Sequence, residues 1–548
     1  MSMKKIPFYI LILFLKITPI LSFGQFIPVS PKQSNVYSFL NELNSEGFIN
    51  ADLSVTPLSR NLISDYLTIA PNIISKLNKR QQEELYFYQS IYNVDTSDFS
   101  NDWTQLLNKS KRNNLKRYDM FYYHDSVFTF SLNPIIGYSY QTTNSTVNYK
   151  RRSGASAYGT IKNWSLWVNL RDNYRKILTN KPNYLTSETG ASIKPNNNGG
   201  GDFEEINGGI AYSNKWVIFS LMKDFVTLGK NLNGSNILSD RAPSMPMIFL
   251  QLKPAKWVTI NYIHAWLVSD VIDSSQSFNF ANGYRTVMSQ KYLASNYITF
   301  KPHRKWNVSI GNSIVYSDIG IQPAYLIPVM FYKAVDHSLN GMSNFTGQNA
   351  QMFGSFSTTV VPHTSIYSSL YFDELSIKNM TNKNAHSNFY SLKTGAQIYN
   401  FPLKNLSVCL EYTRTNPITY NHFIPTTTYA SNDYTLGNYL KDNSEEIWIS
   451  ATYQYKRIDF TLSYLNARHG EDYPYTGNGN SGLGLPFIDK VYWNNKTFKF
   501  EVISYLTEYL KFNCGFSISN IYDSKGIYTP SYLIGRKNTL FFGLNYEL

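Results

Sequence analysis

The sequence predicts an all-β transmembrane β-barrel of about 18 antiparallel strands, preceded by a small N-terminal α-helical bundle. Three observations point to it. From about Ser126 to Leu548 the chain runs as a series of β-hairpins, with a tight turn inside each pair and a long polar loop between pairs. Apolar and polar residues alternate along the strands, the period of a sheet with two different faces. Beyond the first two dozen residues, no apolar run reaches the roughly 18 residues a membrane helix needs.

The first element is a leader. Lys4 and Lys5 precede the apolar run Ile6–Leu21, which ends in the small residues Ser22 and Gly24. This is the pattern of a secretory signal peptide, so residues 1–24 are expected to be removed in export. The leader contains no cysteine, which excludes lipoprotein processing.

Residues 25–118 form a helical region, expected in the periplasm because it precedes the first strand. Val36, Phe39, Leu40 and Leu43 recur at helical spacing between Ser34, an N-cap, and Gly47, a stop. Pro57–Leu67 opens a second helix with Leu62, Ile63, Tyr66 and Leu67 on one side, and Asn72–Tyr92 reads as a third with Leu77, Leu85, Tyr88 and Ile91. None is hydrophobic all round, as expected of a small soluble bundle. A basic run follows, Lys109, Lys111, Arg112, Lys116 and Arg117, either a solvated face or a contact with inner-leaflet headgroups.

Residues 119–548 form the barrel. Tight turns are signalled by Lys162-Asn163, Lys253–Lys256, Lys301–Lys305, Pro362-His363, Phe401–Asn405, Lys456-Arg457 and Leu506–Tyr509. Long loops are expected at 176–203, 231–244, 269–288, 319–348, 417–445, 469–493 and 522–537, rich in Gly, Asn, Ser and Asp. The strand count is even if both chain ends stay periplasmic. It is open by two, because Ala324–Lys333 also has strand-like residues. Leu540, Phe542, Leu544 and Tyr546 alternate with Phe541, Gly543 and Asn545, and Ile458, Phe460 and Leu462 alternate with Asp459, Thr461 and Ser463. One face suits hydrocarbon and the other a hydrated or packed lumen, with short turns periplasmic and long loops extracellular. A bacterial outer membrane is the compartment implied.

Composition fits this class. Over 548 residues the mean hydropathy is −0.30 with 43% hydrophobic residues, as expected where only alternate strand residues meet lipid. Aromatics reach 16%, about twice ordinary usage, and membrane barrels concentrate them at the interfaces. A soluble Tyr-rich sandwich or a sugar-binding protein is the competing explanation. The net charge of +13, less Lys4, Lys5 and Lys16 of the leader, leaves +10. That excess suits an acidic polysaccharide or lipopolysaccharide phosphate, or simply a basic lumen and rim. No nucleic-acid module is recognisable.

Nothing in the chain reads as a catalytic constellation. The eight histidines are scattered, with no metalloprotease, nucleophile-elbow or phosphate-loop motif, so no enzyme activity and no cofactor are expected. Asp373-Glu374 lacks the regular oxygen spacing of a calcium loop, and no metal site is expected. The only cysteines, Cys409 and Cys514, fall on opposite faces of distant strands and are expected to stay unpaired.

Two stretches are more specific. Asp224-Phe-Val-Thr-Leu-Gly-Lys230, then Gly234, then Ile237–Pro246 forms a strand end, a glycine-containing loop and a Leu-Ser-x-x-Ala/Arg-Pro-x-Pro-type motif. Tyr371-Phe-Asp-Glu-Leu375 is a second strand end. Both resemble the Wzi family of outer-membrane capsule-assembly proteins. Pro57-Leu-Ser-Arg60 is similar to Wzi-like proteins of Bacteroidota, including RemB-type gliding-motility proteins. The chain departs from the family in having Gly229-Lys-Asn-Leu-Asn-Gly234 where the family has a Trp-Gly-Pro-Gly core.

The resemblance implies an 18-stranded barrel with a helical bundle at its periplasmic mouth, and a lectin-like, non-enzymatic role in holding capsular or exopolysaccharide on the surface. Aromatic platforms with basic side chains suit acidic sugars. The candidate polysaccharide contacts are Arg171, Arg175 and Lys176 at the outer end of one strand, Arg241 in the family-like loop, and Trp266 near the outer end of another. An accessory role in surface adhesion or gliding machinery, and a passive outer-membrane channel, are the alternatives. The partners implied are surface polysaccharide, outer-membrane lipid or lipopolysaccharide, and surface-machinery proteins.

Overall fold

The computed structural model describes residues 25–92, 100–105, 110–112, 115–117, 119–178, 189–341, 347–374, 389–474, 485–507 and 509–547. The expected leader, Lys109 and the glycine-rich Gly477–Gly484 stretch lie outside the described residues.

Eighteen antiparallel strands close into a barrel. We number them β1 (Phe128–Thr143), β2 (Thr146–Ile161), β3 (Trp164–Arg175), β4 (Gly201–Ser213), β5 (Val217–Asp224), β6 (Met245–Ala255), β7 (Val258–Leu267), β8 (Lys291–His303) and β9 (Trp306–Ser317). The series continues with β10 (Asn349–Thr358), β11 (Thr364–Glu374), β12 (Phe389–Tyr399), β13 (Leu406–Thr415), β14 (Ser444–Tyr455), β15 (Ile458–His469), β16 (Trp493–Tyr505), β17 (Leu510–Asp523) and β18 (Gly535–Tyr546). Each strand pairs with its neighbours in sequence, and β18 closes on β1 from Tyr546↔Ile136 to Thr539↔Thr143. The tight turns fall where the sequence places them, and Asn214–Trp216 adds one that it does not signal. They define one end of the barrel, the turn end. The opposite, loop end carries the long connections and the two-residue turn Asn144-Ser145, which the hairpin rhythm does not reveal.

Alternation sets the two faces. Ile136, Leu166, Leu221, Leu410, Leu540 and Leu544 are exposed on the outer wall, whereas Asn133, Ser220, Ser309, Ser365, Ser391 and Glu411 are buried in the lumen. An apolar exterior around a polar interior is the inverse of a soluble barrel and defines a transmembrane one. Pro134 lies within β1, but at a gap in pairing. On that edge Leu132 faces Phe121 and Ile136 faces Tyr546, and among the described residues none pairs with Pro134 there.

The helical region packs at the turn end. Helices α1 (Val36–Ser45), α2 (Arg60–Leu67), α3 (Pro71–Ile74) and α4 (Lys79–Tyr92) surround a core of Val36, Phe39, Leu40, Leu43, Ile63 and Leu85. Three boundaries differ from expectation. The first helix has Asn35, not Ser34, at its N-cap position, with no side-chain cap bond. The second helix starts at Arg60, not Pro57, because Ser59 caps it by accepting from the Leu62 N–H at 3.1 Å. The single helix expected over Asn72–Tyr92 is two, because Asn78 and Gln81 form a reciprocal capping box that starts a new helix. The strand-like Ala324–Lys333 stretch is not a strand. It forms a 3₁₀ turn, Pro323–Leu326, and the start of α5 (Tyr332–Asn340).

The bundle is tied to the barrel by buried polar groups. Arg80 bridges the carboxylates of Glu42 and Glu84 and donates to Asn405 Oδ1 at 3.0 Å in the β12–β13 turn. Asn41 donates to Gln397 at 2.9 Å, and Asn35 to Asp459 at 2.6 Å. Arg80→Ala leaves two buried carboxylates facing each other. It is expected to cost about 3–5 kcal/mol, seen as accelerated hydrogen exchange of the helices with the strands unchanged.

Candidate functional site

The lumen is divided by the loop between β5 and β6. Near its start, Thr227 and Leu228 pair antiparallel with Thr56 and Val55 of the N-terminal region, so the loop descends from the loop end to meet the bundle. Gly229 takes a φ of +81°, open to glycine but strained for other residues, and its N–H donates to the Ser54 carbonyl at 2.9 Å. Lys230 reaches Ser365 Oγ at 2.5 Å and the Asn41 side chain, 5.6 Å over the Tyr367 ring.

The tip of this loop is held by one carboxylate. Glu411 on β13 accepts the Leu232 N–H at 2.8 Å and the Asn233 N–H at 2.9 Å. The same carboxylate accepts from Tyr367 Oη at 2.7 Å and pairs with Lys393 Nζ at 3.1 Å. Both charges are buried, so each needs the other and its hydrogen bonds. The returning arm buries Ile237, Leu238 and Ala242 against Met222, Met247, Phe249 and Leu293. Asn236 donates to the Ser391 carbonyl at 2.9 Å, and Tyr420 and Tyr429 donate to the Asn236 and Ile237 carbonyls at 2.6 and 3.0 Å.

Those tyrosines belong to the 416–443 loop, which folds over the plug from the loop end. Within it, burial pushes the Asp442 carboxyl up to about 7, while the Tyr420 N–H donating to it pulls the other way. An acid whose folded pKa lies above its ordinary 3.8 favours folding most at low pH, and that contribution is lost as pH rises towards 7. Protease nicking of the 416–443 loop is therefore expected to increase between about pH 4 and pH 7 and to level off above that, and Asp442→Asn to flatten that dependence.

The other side of the lumen is open. A cavity of about 870 Å³ runs along the inner wall of β1–β5 and β16–β18, between the plug and the loops around Thr189 and Tyr532. Its lining holds eight lysines and arginines against five aspartates and glutamates, so it favours an anionic occupant. Three lining cations stand over aromatic rings: Lys150 over Phe203 at 5.0 Å, Lys499 over Phe541 at 4.9 Å, and Arg241 over Tyr434 at 5.0 Å.

The five residues singled out in the sequence fare differently. Arg171, Arg175 and Arg241 line this one cavity. Arg171 is buried and already engaged, pairing with Glu547 at 2.5 Å and Glu205 at 3.6 Å and donating to Asn207 at 3.1 Å. Arg152 shares Glu547 at 2.8 Å. Lys176 is exposed on the outward face of its strand end, 6.0 Å over Tyr149. Trp266 sits at the cavity rim, but its ring is on the outward face of β7, edge-on to His264 at 5.2 Å. Lys150, Lys499, Phe203 and Phe541 were not singled out in the sequence. Lys499 and Glu501 interrupting the Phe498 and Phe500 alternation was a legible sign of an inward charge, whereas the return of Glu547 to Arg171 was not.

The family-like stretches build the plug and its cover. Ile237–Pro246 is the returning arm of the plug, and Tyr371 is buried against Tyr420 and Tyr429. Arg60, in the stretch similar to motility proteins, is buried, donates to the Ile91 carbonyl at 2.6 Å and stacks on Tyr92 and Tyr158. Both cysteines are free, Cys409 in the lumen and Cys514 on a distant strand.

Fold and site together define an 18-stranded transmembrane barrel plugged from within, with a basic, aromatic-edged cavity beside the plug. No protein-family profile matches the chain, and no curated protein sequence does. Among solved structures it is similar to Wzi of Escherichia coli, described as an outer-membrane, carbohydrate-binding β-barrel involved in group 1 capsule assembly. The TM-score is 0.59 at 12% identity, over 96% of this chain and 100% of that one. The fold is Wzi-like. Two porins, OccD3 of Pseudomonas aeruginosa (TM-score 0.41, 10% identity, 76% of this chain and 90% of that one) and OccAB2 of Acinetobacter baumannii (0.42, 8%, 76% and 98%), are more distant.

Glu411→Gln keeps the shape but removes the charge that Lys393 and two N–H groups share. It is expected to loosen the plug by about 3–5 kcal/mol, read as a new protease-sensitive site within 229–236 in the folded barrel.

Proposed function

We propose that this protein is a non-enzymatic outer-membrane barrel that holds an acidic capsular or exopolysaccharide at the cell surface. Its loop end faces outward and its helical bundle lies in the periplasm. The observation that carries this reading is the cavity beside the plug, where three cations stand over three rings. A ring face supports a sugar by stacking, and a cation beside it pairs with a uronate, pyruvate or phosphate substituent. The carbohydrate binding described for Wzi, on the same fold, supports it.

Purified protein is expected to bind an acidic polysaccharide more tightly than a neutral one, with affinity falling as salt rises. Lys150→Ala and Lys499→Ala, both away from the plug clamp, are each expected to weaken binding about fivefold. Equal binding of neutral and acidic polymer, unchanged in both variants, would sink the proposal. In cells, loss of the gene is expected to release polysaccharide into the medium without reducing its synthesis.

A passive channel is the second reading, favoured by the volume left along the β1–β5 wall. It requires ion conductance by the intact protein in planar bilayers, which the polysaccharide reading does not. A gliding-machinery role rests on the Pro57–Arg60 resemblance. Burial of Leu58, Ser59 and Arg60 leaves that stretch little surface to offer a partner.

A further inference from the structure

The connection from β9 to β10 does not stay at the loop end. It turns outward and lies against the external wall of β7–β9. The outer faces of these strands carry groups that a lipid-facing wall ordinarily excludes: His264, Asn296 and Asn312 alternate with the inward Ile263, Leu293 and Ser313. Tyr316 meets His264 at 2.7 Å, and the connection covers the two asparagines. The Met330 carbonyl accepts from Asn296 Nδ2 at 2.7 Å and from Asn312 Nδ2 at 3.1 Å, and the Tyr332 N–H donates to Asn312 Oδ1 at 2.9 Å. Tyr262 donates to the Tyr325 carbonyl at 3.0 Å, and Tyr316 and Tyr325 pack ring on ring with centroids 4.9 Å apart.

The depth of this contact is given by the strand register. Asn312 pairs with Met352 of β10, which is exposed on the same outer face, and Ile310, one step nearer the turn end, is exposed as well. The connection therefore overlies the apolar belt itself. Its own exposed side is apolar: Ile319, Ile321, Leu326, Ile327, Val329 (60% exposed) and Phe331 (47% exposed). Between Ile319 and Val335 the only charged residue is Lys333. The 3₁₀ turn and the first turn of α5 satisfy part of its backbone internally, as a segment in hydrocarbon requires.

We propose that residues 319–335 are a membrane-embedded collar, a helix-turn element that lies in the leaflet nearer the loop end with Val329 and Phe331 among the acyl chains. The occupant of this apolar surface is lipid because the surface is continuous with the lipid-facing belt at Ile310 and Met352. The collar widens the lipid-facing wall on one side, and it lets asparagines persist on a barrel exterior. The proposal stands on the barrel fold alone and is independent of what the lumen binds.

The test uses full-length protein with Cys409 and Cys514 replaced by serine and one cysteine introduced at a time. Val329→Cys is compared with Ile310→Cys in the belt and Lys525→Cys in an exposed loop. Each is labelled with a small fluorophore and reconstituted in phosphatidylcholine vesicles whose acyl chains are brominated at mid-chain. The expected result is quenching at position 329 equal to that at 310, with none at 525. Quenching at 329 by aqueous iodide but not by brominated lipid would overturn the proposal. So would shielding from both quenchers together with disulfide formation between copies in unlabelled Val329→Cys protein, which would mark a second copy as the occupant. If the Val329 variant does not form the folded barrel, Phe331→Cys gives the same reading.

Discussion

A closed barrel of 18 strands encloses more space than its own inward side chains can fill, and the structure depends on how that space is occupied. Here the filling hinges on the Glu411 carboxylate. It is buried in the lumen, paired with Lys393, and receives two backbone N–H groups from the tip of the 225–244 loop. A buried carboxylate without such partners is costly, and so is a loop tip with unsatisfied N–H groups. Each solves the other's problem, and the loop is drawn deep enough to pair with Val55 and Thr56 below. The bundle, plug and wall thereby become one connected structure.

The plug is off-centre, which divides the lumen chemically. On the β6–β13 side, loop residues such as Leu228, Ile237 and Tyr429 pack with Phe249, Leu293 and Phe353 as the interior of a soluble protein would. On the β1–β5 and β16–β18 side, charged and aromatic residues remain open to a cavity. Several of these charges are compensated internally, as Glu547 does for Arg152 and Arg171 and Glu501 for Lys499, and Lys150 and Lys499 stand over rings.

Much of the fold was legible. The Lys-Pro and Lys-Asn turn signals, the strand alternation and the strand count match the barrel, because a two-residue period and a turn are local properties. The split at Asn78 was also legible, since Asn-x-x-Gln is a capping box, but the helical stripe running past it obscured the signal. The site was legible only in part. Arg171, Arg175 and Arg241 do share a cavity, yet Arg171 is a structural ion-pair member and Trp266 faces the opposite way. Alternation says which face a residue takes. It does not say which loops return to meet that face.

The sequence by itself determined the class of protein. Once strands alternate, an apolar exterior around a polar lumen is the arrangement that satisfies every backbone group in a membrane. Only the tertiary structure decided where the loops go. The 225–244 loop turns inward because Glu411 and Lys393 wait on distant strands, and the 319–341 segment turns outward because Asn296 and Asn312 need a carbonyl. These are contacts between residues far apart in the chain. Their partners are set by strand register and barrel curvature, which no local pattern encodes.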